Sequence, residues 1–578
     1  MKVKKDRRRS VAATAPADVP QGRPRWLYPL AAVGVLVLAF IAYSPALHGP
    51  FLFDDSYLPF AVPGQDPALR WWIGAIRPLL MVTYWANFRL SGSESYWYHV
   101  VNVILHAATT LVVFGVVRRL VEHAGETGSR RDLVAAAAAA IFLAHPVQTE
   151  SVAYIAGRSE CLSVFFVMAA FAVFVHCRQT AIGWGRSLAV LLLFLAALAS
   201  KEHTVVLVPL LLLYDYFWNP GFTLQGIRRN WRIYLPLLAG AGAGLALFAN
   251  LIMRSTTAGF ALKDFTWYQY LFTQFRALFV YLRLFVLPFG FNLDYDFPIS
   301  MTILDHGAIF GLAGLVAISA VAWKYRRRYR LAAFGWFAFL LLMAPTSSIL
   351  PIRDPIAERR MYLGMPGLLL IVAEVLLQFH WERKVLGWVL AAILGVGTAL
   401  TWSRAAVYAS PVAQWLDTVA KSPRKVRPHF QLASAYFAEG RCDLALKEFA
   451  ATAALAPPDY DLLVDWGLTL DCLDRPDEAI AKLRQAAALE ATAHVYSQIG
   501  MVYAKRSNWP DAMGALKTAE RLDPFYAMTF VYMAGVHLAN NDVQEAVDQY
   551  RRALRIEPKN QQAKERLAMA EQRLAAPR

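Results

Sequence analysis

Apolar runs of 18 or more residues recur along the chain up to about residue 404, and none follows. A helix of that length crosses the roughly 30 Å hydrocarbon core of a bilayer, and inside lipid only helices and closed barrels satisfy their own backbone polar groups. The chain is therefore expected to be all-α, with a polytopic membrane domain first and a water-soluble part after it. Composition points the same way. Of 578 residues 57% are hydrophobic and only 17% charged, more apolar surface than one soluble core of this size hides.

Eleven spans are expected, near residues 26–47, 97–120, 132–147, 159–177, 186–200, 203–218, 233–252, 306–323, 330–350, 361–379 and 385–404. The tail with Lys2, Lys4, Lys5, Arg7, Arg8 and Arg9 precedes the first. That first run is too long for a signal-peptide core and has no small-residue cleavage site, so it is a retained span with a cytoplasmic N-terminus. Even-numbered spans then exit at Arg118, Arg119, Arg130 and Arg131, at Arg228, Arg229 and Arg232, and at Lys324, Arg326, Arg327, Arg328 and Arg330, the bias of cytoplasmic loops. This placement accounts for the net charge of +16 without nucleic acid, which is not an expected partner. The stretch Tyr268 to Pro288 carries Arg276 and Arg283 on one helical face and reads as an amphipathic helix in the outer interface rather than a twelfth span. An odd count sends the C-terminal part outside.

From Lys421 onward the pattern is repetitive. Ala445, Ala479, Ala512 and Ala546 recur at 34, 33 and 34 residues, Phe449, Leu483, Leu516 and Tyr550 keep the same step, and Pro457, Pro524 and Pro558 close three of the units. The period, with small residues where paired helices touch, is that of about four tetratricopeptide repeats (TPRs), with Gln561 to Ala576 as a capping helix. The expected divisions are a basic tail at 1–25, a transmembrane domain at 26–405, a linker at 406–426 and the repeat domain at 427–578. Cys161 and Cys177 are too far apart along one helix to bond and read as small core residues. Cys442 and Cys472 lie about one repeat apart and are able to pair where that domain is outside the cytosol.

The outer loops carry the chemistry. Phe53-Asp54-Asp55-Ser56 follows the first span; adjacent carboxylates near hydrocarbon raise each other's pKa and suit a proton-accepting role, the plain alternative being a solvated turn. His99, Asn102 and His106 form one stripe of the second span, fit for a cavity or for helix-to-helix hydrogen bonds. Tight outer turns read His145 to Glu150, Gly157-Arg158-Ser159-Glu160 and Ser200-Lys201-Glu202-His203, and Arg353 to Tyr362 brings Arg353, Glu358, Arg359, Arg360 and Tyr362. With Arg77 these form a cationic set suited to an anionic phosphate, or to pairing with Asp354, Glu358 and the first-loop aspartates. Asp294-Tyr295-Asp296 resembles a metal-binding DxD and is a candidate hard-cation site, although a cytoplasmic nucleotide sugar does not reach an outer loop. Walker A, strand-borne GxGxxG and HExxH motifs are absent, which argues against ATP-driven transport, dinucleotide redox and zinc proteolysis.

The segments FDDS (53–56), RPLLMVTYWANFRLSGSESYWYHVVNVILH (77–106), HPVQTESVAYIAGRSE (145–160), SKEH (200–203), LPFGFNLDYDFP (287–298) and APTSSILPIRDPIAERRMYL (344–363) resemble the transmembrane and tetratricopeptide-repeat O-mannosyltransferases. The resemblance implies a GT-C membrane fold and an outward-facing site that moves mannose, or a similar hexose, from a polyprenyl-phosphate carrier to Ser or Thr hydroxyls of a protein bound by the repeats. It implies an inverting reaction with Asp54 or Asp55 as general base. Arg77, Arg158, Lys201, Arg353, Arg359 and Arg360 are the candidates for the phosphate, and His99, Glu150, Glu202, Glu358 and Tyr362 for positioning sugar or cations. A divalent cation, with Asp294 and Asp296, is a further candidate. The chain has no N-x-[ST] sequon, and a bacterial plasma membrane with periplasmic repeats is the expected location. Two other readings stand beside this one: transfer to a lipid or glycan acceptor, and a non-enzymatic scaffold that displays repeats.

Overall fold

A computed structural model describes residues 26–61, 68–74, 77–177, 181–240, 259–379 and 382–575. Among these there are helices and connecting loops and no β-strand. Six helices are long and apolar enough to cross a membrane: Tyr28–Ala46, Ser95–His123, Ile155–Val175, Asp305–Lys324, Glu358–Gln378 and Lys384–Ala409. The pair Gly128–Ala144 and Pro146–Ala153, bent by 48°, makes a seventh if taken together. Trp184–Leu198 and Arg330–Met343 are apolar but shorter. The expected span at 203–218 is a 3-10 turn, Glu202–Val206, leading into Leu207–Trp218, and most of the one at 233–252 lies outside the described residues.

Exposure identifies the lipid side. Leu30, Val33, Val37 and Ile41 on the first helix, and Leu188, Leu192 and Leu195 on another, are exposed at helical spacing, as expected where the solvent is hydrocarbon. Inside, helices meet at small residues. A Cβ added to Gly335 would lie 2.4 Å from the Gly367 carbonyl oxygen, so the backbones of Arg330–Met343 and Met361–Gln378 touch there. Trp267–Val286, the amphipathic stretch, turns Tyr270, Ala277, Tyr281 and Leu284 inward.

The C-terminal part is a stack of helix pairs: Val426–Ala438 with Cys442–Leu455, Tyr460–Cys472 with Pro476–Leu489, Ala493–Lys505 with Trp509–Leu522, and Ala527–Ala539 with Val543–Ile556, closed by Gln561–Ala575. The repeated alanines are fully buried. Glycine recurs where the helices of a pair cross: a Cβ on Gly467 would lie 2.9 Å from Leu483 Cγ, and one on Gly500 2.6 Å from Leu516 Cγ. Cys442 and Cys472 form a disulfide between the first and second pairs.

The segment 406–426, expected as a linker, is itself largely helical. Ser410 caps Pro411–Lys421, its Oγ accepting from Ala413 N, with proline at the first helical position. Trp415 of this helix is buried with Leu432, Ala433, Tyr436 and Phe449 of the first repeat, so it caps the solenoid on the membrane side.

Candidate active site

The site begins with a proline. A residue preceding proline is pushed out of the helical region, and His145 (φ −82°, ψ 124°) ends Gly128–Ala144. The chain restarts at Pro146 on a bent axis, runs through Thr149–Ala153, and turns again at Gly157. There a Cβ would lie 2.4 Å from the Ser151 carbonyl oxygen, so the turn requires glycine. This double bend carries Glu150, Tyr154, Arg158 and Glu160 across one end of the helical bundle.

The first loop is stapled to that segment. Asp55 is buried, its Oδ2 accepting from Leu52 N at 3.0 Å and its Oδ1 from Ala156 N at 2.7 Å. Asp54 N donates to Tyr154 Oη at 2.7 Å. Asp54 itself is exposed, and no other described residue hydrogen-bonds its carboxylate. Burial, and to a lesser degree the charge of Asp54, push the Asp55 carboxyl up to about 7, against the two backbone N–H donors.

Three cations gather beside this loop, each with a carboxylate. Glu150, fully buried, accepts from Arg359 Nη1 at 2.6 Å and from Arg359 N at 2.9 Å; Nε and Nη2 of Arg359 donate to no described residue. Lys201 pairs with Glu160 and lies 3.3 Å from Ser159 Oγ. Arg77 makes a fork with Glu202, Nε to Oε2 at 3.0 Å and Nη2 to Oε1 at 2.6 Å. The pairs form one electrostatic string: Tyr154 and Glu160 act on Arg359, and Arg359 and Arg77 act on Lys201. Burial lowers the Lys201 amine from its usual range, with Glu160 opposing it. Burial disfavours the Glu202 charge, yet Arg77 more than offsets it and holds that carboxyl down at about 2. Side chains of Arg77, Lys201 and Arg359 keep 34%, 14% and 33% of their surface, so all three remain reachable.

Other candidates lie elsewhere. Arg158 is fully buried, donates to Asn102 Oδ1, Asn87 Oδ1 and the Thr83 and Tyr98 carbonyls, and stacks 4.6 Å from the Tyr84 ring centroid. Its donors are consumed by the protein, which makes it a strut. Arg360 is similar, bound to Tyr270 Oη and the Pro355 and Asp354 carbonyls. Arg353 is exposed, 3.3 Å from Asp264, on a cleft that reaches into the first repeats. His99 contacts the Gly49 carbonyl, and Tyr362 contacts His106 within the bundle.

Glu358 belongs to a second network, which joins loops at this end of the bundle to the repeat domain. It accepts from Tyr295 Oη at 2.6 Å and from Asn292 N, with Arg404 at 3.8 Å. Arg404 binds Asp417 at 2.7 Å. Asp294, a candidate metal ligand, is buried, with both oxygens taken by Lys425 and Arg427, and Asp296 pairs with Arg424 at 3.4 Å. Among the described residues no group of three or more His, Cys, Asp or Glu side chains is placed to hold a metal ion. Arg427 also binds Asp354 at 2.8 Å and stacks on Phe53, the residue before Asp54. Sequence reasoning missed this network because its basic half is split over three expected divisions, Arg404 at the end of the transmembrane domain, Lys425 in the linker and Arg427 at the start of the repeats. It named neither Tyr154 nor Glu160 as a site residue, although Glu160 stands two positions after Arg158.

No protein-family model matches the sequence. Relatives among characterised proteins are "Protein O-mannosyl-transferase F38B6.6" of Caenorhabditis elegans, 26% identical over 69% of this chain and 59% of that protein, and "Protein O-mannosyl-transferase TMTC3" of mouse, 23% identical over 84% of this chain and 54% of that protein. The human TMTC3 is 22% identical with the same coverage. The relatives are TMTC-type protein O-mannosyl-transferases. The chain spans about half the length of these mannosyl-transferases. Its likeness to solved structures, such as "Crystal structure of YrrB: a TPR protein with an unusual peptide-binding site" (19% identity, TM-score 0.23, 30% of this chain and 86% of that one), is too low to carry an argument; the repeat assignment rests on the helix pairs described above.

Proposed function

We propose that the chain transfers a hexose, mannose by likeness to its relatives, from a polyprenyl-phosphate carrier to Ser or Thr hydroxyls of a polypeptide. Asp54 is the general base in this scheme and Asp55 its anchor. The observation that carries the assignment is the contrast between the two. Asp55 is buried with both oxygens committed to backbone N–H groups, whereas Asp54 is exposed, its carboxylate bonded to no described residue and its backbone N–H held by Tyr154, at the same end of the bundle as Arg77, Lys201 and Arg359.

In the reaction the Asp54 carboxylate takes the proton of the acceptor hydroxyl. The hydroxyl oxygen forms a bond to the anomeric carbon, and the bond from that carbon to the phosphate oxygen breaks on the opposite face, inverting the centre. Negative charge gathers on the departing polyprenyl phosphate, where Arg77, Lys201 and Arg359 meet it with donors already oriented by Glu202, Glu160 and Glu150. Side-chain cations thus supply the charge compensation.

This scheme takes the GT-C arrangement with eleven spans, the site on the outer face, the repeats outside and a bacterial plasma membrane as location. The separation of charge supports the sidedness. Arg158 and Glu160 begin the helix that ends at Val175, and the Val175 carbonyl accepts from Arg119. Likewise Arg359 and Arg360 begin the helix whose far end meets Arg130 at the Leu377 carbonyl. Eighteen helical residues span roughly 27 Å, so the acidic and basic cluster and the arginine-rich connectors occupy opposite ends. A disulfide in the repeats suits a non-cytosolic compartment. The repeats, docked through Arg427 beside Phe53, serve as the platform for the acceptor.

The test is transfer of labelled mannose from synthetic polyprenyl-phosphate mannose to polypeptide by the chain in lipid nanodiscs. Label in polypeptide, removed by β-elimination, supports the reading; label appearing only in lipid or glycan assigns the other acceptor class, and no turnover with any acceptor favours the scaffold.

A further inference from the structure

At the end of the bundle away from the candidate site, two connectors separated by a hundred residues in sequence meet around one ring. Phe222 lies in the turn after Leu207–Trp218. Around it stand the guanidinium groups of Arg326, Arg327 and Arg330, at 5.6, 5.7 and 5.0 Å from the ring centroid. Arg326 also stacks on Trp323 at 4.1 Å and Arg330 on Trp218 at 5.0 Å. Among the described residues none of the three pairs with a carboxylate; Arg326 donates through Nη1 to the Trp323 carbonyl at 2.6 Å, and its buried Nε has no acceptor.

A cationic loop is enough to orient a membrane protein, and orientation does not require the charges to be gathered. Stacking on an aromatic ring favours each cation only modestly at an exposed site, while three like charges this close repel one another. The arrangement fits an anion with several acceptor oxygens, which the donors left on the three guanidinium groups can share, and phosphate is such an anion. The surroundings decide which phosphate. Leu224 and Trp323 flank the cluster with 59% and 45% of their surface exposed, and Trp323 is part of the apolar helix Asp305–Lys324. A phosphate that docks here has apolar surface beside it for acyl chains, and anionic leaflets concentrate such groups at the ends of spans. We infer that the Phe222 cluster is a binding site for the phosphate of an anionic phospholipid in the leaflet opposite the candidate active site.

The test uses the full chain, reconstituted in equimolar phosphatidylcholine and phosphatidylglycerol, extracted in mild detergent and weighed by native mass spectrometry. The wild type is expected to retain phosphatidylglycerol in preference to phosphatidylcholine. Arg326→Lys/Arg327→Lys/Arg330→Lys keeps every charge, and with it the orientation, but loses the paired donors; it is expected to lose that retention. Equal retention of both lipids by the wild type, or undiminished phosphatidylglycerol on the triple variant, overturns the proposal. Displacement of phosphatidylglycerol by millimolar inorganic phosphate also overturns it, since the site would then be one for free phosphate. Should the triple variant unfold in detergent, Arg327→Lys alone is measured against the same outcomes.

Discussion

The two carboxylates of the first loop differ in everything but sequence position. Asp54→Asn removes a proton acceptor that no described neighbour uses, so it is expected to abolish transfer and leave the melting temperature unchanged. Asp55→Asn puts an amide where two N–H groups converge. One of these loses its acceptor, which costs about 1–3 kcal/mol, and a thermal-shift measurement is expected to show it. A pH dependence accompanies this. The Asp55 carboxyl is raised from 3.8 to about 7 in the folded protein, so the folded state holds its proton where the unfolded state has lost it. The contribution to stability is therefore greatest below about pH 4 and declines as pH rises towards 7. The difference in melting temperature between wild type and Asp55→Asn should shift against the wild type across that window; a constant difference would contradict the assignment. The sequence shows the aspartate pair plainly, but not which member is buried, since that depends on Ala156, a residue about a hundred positions away.

Charged residues in tight turns between apolar helices were legible as a group, because the membrane makes each one costly without a role. Their partners were not. Glu150 and Arg359 pair across 209 residues, and only the bend at Pro146 brings the carboxylate inward. Arg359→Gln would strand Glu150 in a buried position, at about 3 kcal/mol, and is expected to lower both the melting temperature and transfer. Arg158 and Arg360 illustrate the opposite case. They look identical to Arg359 in sequence, and their donors end on carbonyls and amide oxygens of the bundle, so substitution there should act through folding. In the repeats the periodic alanines announced the helix pairs. The 34-residue step also set Cys442 and Cys472 near each other, although pairing required the actual Cα separation of 6.3 Å. Cys442→Ser/Cys472→Ser is expected to destabilise the repeats by about 3 kcal/mol, read as a lower melting temperature that dithiothreitol no longer changes.

The joint between the membrane domain and the repeats is more ordered than a linker. Residues 406–426, expected as a linker, hold Trp415, which plugs the first repeat, and Lys425, which pairs with Asp294, while Arg404 before them and Arg427 after them bind Glu358, Asp294 and Asp354. The repeat platform is therefore held at a fixed position over the first loop. The central proposal is sugar transfer with a phosphate leaving group and Asp54 as base. The most direct measurement is the turnover of polyprenyl-phosphate mannose, with polypeptide acceptor, by wild type, Asp54→Asn and Asp55→Asn in the same nanodiscs. The expected outcome is glycosylated polypeptide from the wild type, none from a fully folded Asp54→Asn, and residual transfer from whatever fraction of Asp55→Asn stays folded. Wild-type rates from Asp54→Asn would rule out Asp54 as the base.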